Sequence, residues 1–231
     1  GFDRFIRLDW AEAALRVQSG AADIGELDQI LTGSHAGLEA KKKTRTVLNR
    51  LWLEPREELA GLADRGVAIF RQVADPQVAA LTWGMALAVY PFFAKVAEIV
   101  GRLTSLQGDC TTAEVHRRMA EIYGEREGTR RMTNMVIQSQ VDWSLLGKSE
   151  NGKTLTRKPP MALQSPETVQ WISEALLMHV GRPLTLDGLS GQPTMFPFSF
   201  GDNLGYMLSL SEAFDVRADS AGTRIVGLKA R

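Results

Sequence analysis

Gly147-Lys148-Ser149-Glu150-Asn151-Gly152-Lys153-Thr154 is the stretch whose reading decides the fold. Letter for letter it matches the phosphate-loop pattern G-x-x-x-x-G-K-[ST], a pattern loose enough to arise by chance in roughly one chain in a hundred of this length. A working phosphate loop needs a strand before it and a helix directly after, because the helix N-terminus and the loop amides hold the phosphate together. Trp143-Ser144-Leu145-Leu146 can supply a short buried strand. After Thr154, however, the chain reads Leu155-Thr156-Arg157-Lys158-Pro159-Pro160, and two prolines end a helix scarcely begun. Nucleotide hydrolysis also requires a second strand ending in a magnesium-binding Asp. The best downstream candidate, Leu184-Thr185-Leu186-Asp187, lacks the apolar run of a central parallel strand. The same residues fit a β-hairpin instead: Asn151-Gly152 is a strong turn signal, and Thr154-Leu155-Thr156 alternates as an outgoing strand would. Lys148 and Lys153 then ride on an exposed turn.

Two helices precede this hairpin. Thr111-Thr112-Ala113-Glu114 is a capping box, followed by Val115, Met119, Ile122 and Tyr123 at helical spacing and by Gly124 as a stop. After Glu125-Arg126-Glu127-Gly128 a second helix is predicted from Thr129 to about Asp142, with Met132, Val136, Ile137 and Val141 on its apolar side. Helix, short turn, helix and basic-tipped hairpin is the order of a winged helix-turn-helix, with Thr129 to Val141 as the recognition helix. Its opposite face supports that role. Arg130, Asn134 and Gln138 recur at every fourth position with Arg131 beside them, and these side chains suit guanine and adenine edges in the major groove. Across residues 128–158, Arg130, Arg131, Lys148, Lys153, Arg157 and Lys158 oppose only Asp142 and Glu150.

That local excess matters because the whole chain is balanced, with 27 basic and 27 acidic residues in 231. Any attraction to nucleic acid must therefore be concentrated in one place. The lone Cys110 rules out an internal disulfide framework and fits a reducing, cytoplasmic compartment. The charged start Gly1-Phe2-Asp3-Arg4 has no apolar leader region, so no signal peptide is expected. Residues 77–94 carry no formal charge, but Gln77, Thr82, Gly84 and Pro91 dilute them, and a buried helix kinked near Pro91 is expected rather than a membrane span.

The first hundred residues read as helices. Trp10, Ala13, Ala14 and Val17 repeat after Asp9, and Ile24, Leu27, Ile30 and Leu31 repeat after Asp23, a good N-cap. A loop is expected over 33–37. A helix over 40–52 follows, with Val47, Leu48 and Leu51 on one side and Lys41, Lys42, Lys43, Arg45 and Arg50 over the rest, a second candidate phosphate-contacting cluster. Pro55 opens another helix carrying Leu59 and Leu62. Beyond Pro160 come a helix capped by Ser165-Pro166 and closed by Gly181, a loop over 188–197, a short helix over 203–210 and a second hairpin around Ser220-Ala221-Gly222. The expected architecture is mainly α: a helical bundle over 1–106, a winged helix-turn-helix over 107–160, and a C-terminal α+β unit over 161–231 that can be a second winged-helix-like module.

Catalytic signatures are missing. His35, His116 and His179 fall in no metal-ligand spacing and read as ordinary surface or partly buried side chains, so neither metal nor cofactor is expected. No G-x-S-x-G elbow is present, and no carboxylate pair stands out.

The layout Ala40-Lys41-Lys42-Lys43-Thr44-Arg45-Thr46-Val47-Leu48-Asn49-Arg50-Leu51, then Thr112-Ala113-Glu114-Val115-His116-Arg117-Arg118, Tyr123-Gly124-Glu125-Arg126 and Asp142-Trp143-Ser144-Leu145-Leu146, resembles the BrxA family. These are small proteins of bacteriophage-exclusion (BREX) defence systems, formerly catalogued as inner-membrane proteins. The resemblance covers about residues 9–160 and leaves 161–231 unmatched. It implies a mainly helical accessory protein that binds double-stranded DNA in a phage-defence locus, and it lends no catalytic residues.

Overall fold

Burial of the apolar stripes read from the sequence builds a mostly helical molecule, seen in a computed structural model that describes residues 1–34 and 37–229. Helix α1 (Leu8–Gln18) buries Trp10, Ala13 and Ala14, and α2 (Ile24–Ser34) is capped by Asp23, whose carboxylate accepts from the amides of Gly25 and Glu26. Gly33 and Ser34 complete the last turn of α2 rather than a loop, while His35 and Ala36 lie outside the described residues. Helix α3 (Leu38–Leu48) continues into a π-helical turn over Asn49–Leu53 that buries Leu51 and Trp52. Helix α4 (Glu57–Gln72) then leads to α5 (Val78–Val89), which is apolar all round and buried on nearly every side. Pro91 opens α6 (Pro91–Gln107), and the chain turns by 116° between α5 and α6. No single helix among the described residues is long and apolar enough to cross a membrane.

The segment around the decisive hairpin comes next. Strand β1 (Asp109–Thr111), a three-residue strand that no sequence signal announced, leads into α7 (Thr112–Tyr123), where the Thr111/Glu114 capping box is formed on both sides. Helix α8 (Glu127–Asp142) starts two residues earlier than its apolar periodicity suggests. Strands β2 (Leu146–Lys148) and β3 (Thr154–Arg157) form the antiparallel hairpin, and the sheet order is β1-β3-β2. Trp143 is not part of a strand. It ends α8 as a buried side chain, and Ser144 turns the chain with a positive φ of 61°. Ile122 departs from expectation as well: it is 53 % exposed, because α7 packs through Val115 and Met119 while Tyr123 turns back onto Phe92.

Strand β4 (Met161–Ala162) pairs in parallel with β6 (Phe198–Ser199), and Gln77 braces this link by donating to the Ala162 carbonyl and accepting from the Gln164 amide. Helix α9 (Pro166–Val180) carries the Ser165 cap. Of the rejected strand candidate over 184–187 only β5 (Leu184–Thr185) is extended, because the Thr185 hydroxyl accepts from the Gly188 amide and starts α10 (Leu186–Ser190). The expected loop over 188–197 thus contains the end of α10 and a 3-10 turn, Pro193–Met195. Helix α11 (Leu204–Ser209) and strands β7 (Phe214–Ala218) and β8 (Arg224–Leu228) complete the chain, with sheet order β5-β8-β7.

All three sequence segments share one core. Trp83 of α5 meets Phe93 of α6, Trp143 after α8, and Phe196 and Phe198 of the C-terminal segment edge-on, at centroid distances of 5.1–6.4 Å. Its indole N–H donates to the Thr194 carbonyl at 3.1 Å. On α9, Trp171 stacks on Trp52 at 6.2 Å and the nearly buried Glu174 pairs with Arg65. Gly101 of α6 is where the 3-10 turn comes closest: a Cβ there would lie 2.0 Å from the Pro193 carbonyl oxygen.

Candidate nucleic-acid interface

The turn between β2 and β3 is closed by its own hydrogen bonds. The Ser149 amide donates to the Thr154 carbonyl, the Gly152 amide to the Ser149 carbonyl, and the Lys153 amide to Asn151 Oδ1. The Thr154 amide donates to Ser149 Oγ, and Gly152 takes the left-handed conformation that an Asn-Gly turn calls for. A phosphate loop would aim such amides outward at the anion. Here they are used inside the turn, and β3 rather than a helix follows. Lys148 and Lys153 are both exposed on the turn.

Helix α7 fixes where this turn sits. The Thr112 amide and hydroxyl both donate to the Lys153 carbonyl, which ties the hairpin tip to the start of α7. Helix α8 lies against α7 with Thr129, Thr133, Val136 and Ile137 inward. Arg130, Arg131 and Gln138 are exposed along its outer side, as the spacing predicts. Asn134, the middle member of the stripe, is half-buried, and its Oδ1 lies 2.9 Å from His116 Nε2 on α7. Burial lowers the His116 pKa, and Arg130 and Lys148 are close enough for their charges to lower it further, against the opposing effect of the Asn134 hydrogen bond. Asn134 thus meets the imidazole directly, and the charges of Arg130 and Lys148 reach it without a contact. Next to them runs a groove of about 720 Å³ between α7 and the start of α8, lined by His116, Arg117, Arg126 and Arg130 together with Glu121 and Glu125.

The other sequence-predicted residues are placed elsewhere. Arg157 ends β3 four residues beyond Lys153, about 13 Å along the strand from the tip. Its guanidinium reaches inward to the Phe196 carbonyl and lies over the Phe196 ring. Lys158 follows it, exposed, at the same far end. In α3, Arg45 pairs with Asp28 at 2.8 Å and donates to Asn49, Lys41 donates to Thr32, and Lys42 pairs with Glu39; Lys43 is exposed. Helix α3 packs on α1 and the π turn, whereas α8 packs on α6, α7 and β2, so the two basic clusters sit on different parts of the fold.

His116 is the residue that reading by local spacing passed over. A signal was available: Ala113, His116, Arg117 and Ala120 recur at helical spacing opposite Val115 and Met119, so a capped α7 has to present them as one face. The brace behind α8 was also invisible locally. The Ile6 amide donates to Ser139 Oγ, the Trp143 indole to the Ile6 carbonyl, and the Leu8 amide to Asp142 Oδ2, so residues 6–8 run along the C-terminal half of α8. Among the described residues no cluster of His, Cys, Asp and Glu could hold a metal ion. Cys110 is buried, and burial pushes its thiol up to about 11. Comparison with known proteins adds no relative: no family model, curated protein or solved structure matches the chain.

Proposed function

We propose that this chain is a non-enzymatic, double-stranded DNA-binding protein in which residues 107–160 act as a winged helix-turn-helix, α8 entering the major groove and the β2–β3 turn touching the backbone. The observation that carries this reading is the exposure of Arg130, Arg131 and Gln138 along one side of α8, with the exposed Lys153 on a turn that Thr112 ties to the start of α7. The exposed Arg and Gln side chains on one helix face supply base-edge donors and acceptors, and turn lysines supply phosphate contacts. The resemblance to BrxA proteins points the same way and suggests an accessory or regulatory part in a BREX-like phage-defence system. Arg157, turned toward Phe196, drops out of the expected contact set, and Lys158 and the α3 cluster become secondary.

The test is duplex binding followed by fluorescence anisotropy at low salt. Binding should weaken steeply as salt rises, and Arg130→Ala combined with Lys153→Ala should abolish most of it. Failure of the wild-type protein to bind any duplex, or an unchanged affinity in the double variant, rejects the reading. A second reading, a protein-interaction scaffold, is favoured by one feature: Tyr206 and Leu210 stand 62 % and 61 % exposed on and just after α11. It predicts a co-purifying partner and no salt-dependent affinity for duplex.

A further inference from the structure

Among the described residues the longest open sheet edge belongs to β7. That strand ends the order β5-β8-β7 and pairs with β8 without a break, from Phe214 opposite Leu228 to Ala218 opposite Arg224. The other strands that end a sheet, β1, β2, β4, β5 and β6, have two or three residues, a shortness that by itself protects an edge. Strand β7 has five residues and none of the lysines, prolines or bulges that block edge pairing. Its bonding pattern says which groups face outward. The Lys229 amide donates to the Ala213 carbonyl and the Asp219 amide to the Thr223 carbonyl, both in the register of the strand pairs. Antiparallel strands bond at every second residue, so Ala213, Asp215, Arg217 and Asp219 bond toward β8. The amides and carbonyls of Val216 and Ala218 therefore point away from β8, as does the Phe214 carbonyl.

We propose that β7 pairs antiparallel with β7 of a second copy of this chain, about a two-fold axis at Val216, so that two three-stranded sheets become one. In this register the Val216 residues exchange main-chain hydrogen bonds, and each Ala218 amide donates to the Phe214 carbonyl opposite. The charges on the strand select both the occupant and the register. Asp215 and Arg217 share one face of β7 and pair with each other there. Centring on Val216 sets Asp215 opposite Arg217 of the second copy and Arg217 opposite its Asp215, so the strand is complementary to itself. Sliding by two residues sets Asp215 against Asp215, or Arg217 against Arg217. Sliding by one turns the bonding groups away from each other. The Arg217 side chain is 78 % exposed, which leaves its guanidinium room to bridge to a second carboxylate. None of the residues of the duplex-DNA reading takes part, and the pairing stands or falls independently of it.

Sedimentation velocity of the full chain over a concentration series tests this, with melting temperature in dilute solution as the check on folding. Wild type should pass from monomer to dimer as concentration rises. Val216→Pro removes the outward amide and keeps the bonds to β8, so it should raise the dimer dissociation constant at least about tenfold. Asp215→Arg alone and Arg217→Asp alone set like charges opposite each other and should each weaken the dimer to a similar degree. An equimolar mixture of those two variants restores opposite charges at every facing position, and so does the double variant Asp215→Arg with Arg217→Asp; both should dimerise as wild type does. Should Val216→Pro fail to fold, the charge variants and their mixture decide alone. A wild-type protein that stays monomeric throughout overturns the proposal. So does a dimer that survives all three single variants, which places the contact on another surface, and so does a mixture of folded charge variants that fails to associate.

Discussion

Residues 91–157 and 166–228 run through a similar succession of elements, apart from the 3-10 turn and strand β6 that the second inserts between α10 and α11. Each has a long helix, a short strand, two helices and a hairpin, and each sheet is ordered first, third, second strand with antiparallel neighbours. Their surfaces are opposite in chemistry. The second short helix of the first unit, α8, is 16 residues long and shows Arg130, Arg131 and Gln138; its counterpart α11 is six residues long, and the exposed side chains on and just after it include Tyr206 and Leu210. The first hairpin turn carries Lys153, with Lys148 at the end of β2, whereas the second, Asp219 to Thr223, carries no basic residue and is flanked by Arg224 at the start of β8 and by Arg217, which is paired with Asp215. Topology is thus repeated while charge is not, and what each unit can bind has to be argued from its side chains.

The largest effect should come from the junction that both units share. Trp143→Ala removes a fully enclosed indole, its contacts with Trp83 and Phe93, and the bond to Ile6. A loss of about 3–5 kcal/mol is expected, read by chemical denaturation. A single shifted transition fits one core, and two separate transitions would divide the units thermodynamically. Gly101→Ala forces a methyl against the Pro193 carbonyl and should cost about 1–3 kcal/mol in the same assay. Next, Arg130→Ala should weaken duplex binding by about 1–3 kcal/mol, and Lys153→Ala should lower the salt slope by about one. The matched control, Tyr206→Ala with Leu210→Ala, should leave duplex affinity unchanged and alter stability by less than about 0.5 kcal/mol per site. An equal loss of DNA affinity in that control breaks the contrast between the units.

The smallest effect is on pH. His116 in the first unit and His179 in the second are both held below the ordinary histidine range, chiefly by burial. The unfolded chain therefore binds protons that the folded chain refuses, so stability rises with pH through that window and falls as the solution is acidified below about 6.5. Denaturation midpoints at pH 5.5 and 7.5 should differ in that direction, and His116→Gln should remove the share belonging to the first unit.

The first unit was largely legible because its signals are local. The Thr111 box, the Gly124 stop and Asn151-Gly152 each act within a few residues, and each formed as read. Strand β1 escaped notice because it contributes a single buried side chain, Cys110, and exists only through pairing with β3. Trp143 misled because an apolar run ahead of a hairpin looks like a strand, while its true partners, Ile6, Trp83 and Phe93, are remote in sequence. The site was legible in its charged and amide stripe on α8 and not in its geometry: the His116 contact to Asn134 and the inward turn of Arg157 depend on packing between elements, which one-dimensional spacing does not carry.

The strand of chain behind α8 has a kinetic consequence. The bonds from Ile6 to Ser139 and Trp143, and from Leu8 to Asp142, each close a loop of more than 130 residues. Closures that long are late events, because chain entropy has to be lost before the contact repays it. Local helices and the β2–β3 hairpin can form first, and α8 is locked when residues 6–8 return to it. Substitutions at Ile6 or Ser139 should therefore speed unfolding more than they slow folding, so the two ends of that loop act as a latch on the lifetime of the packed α8.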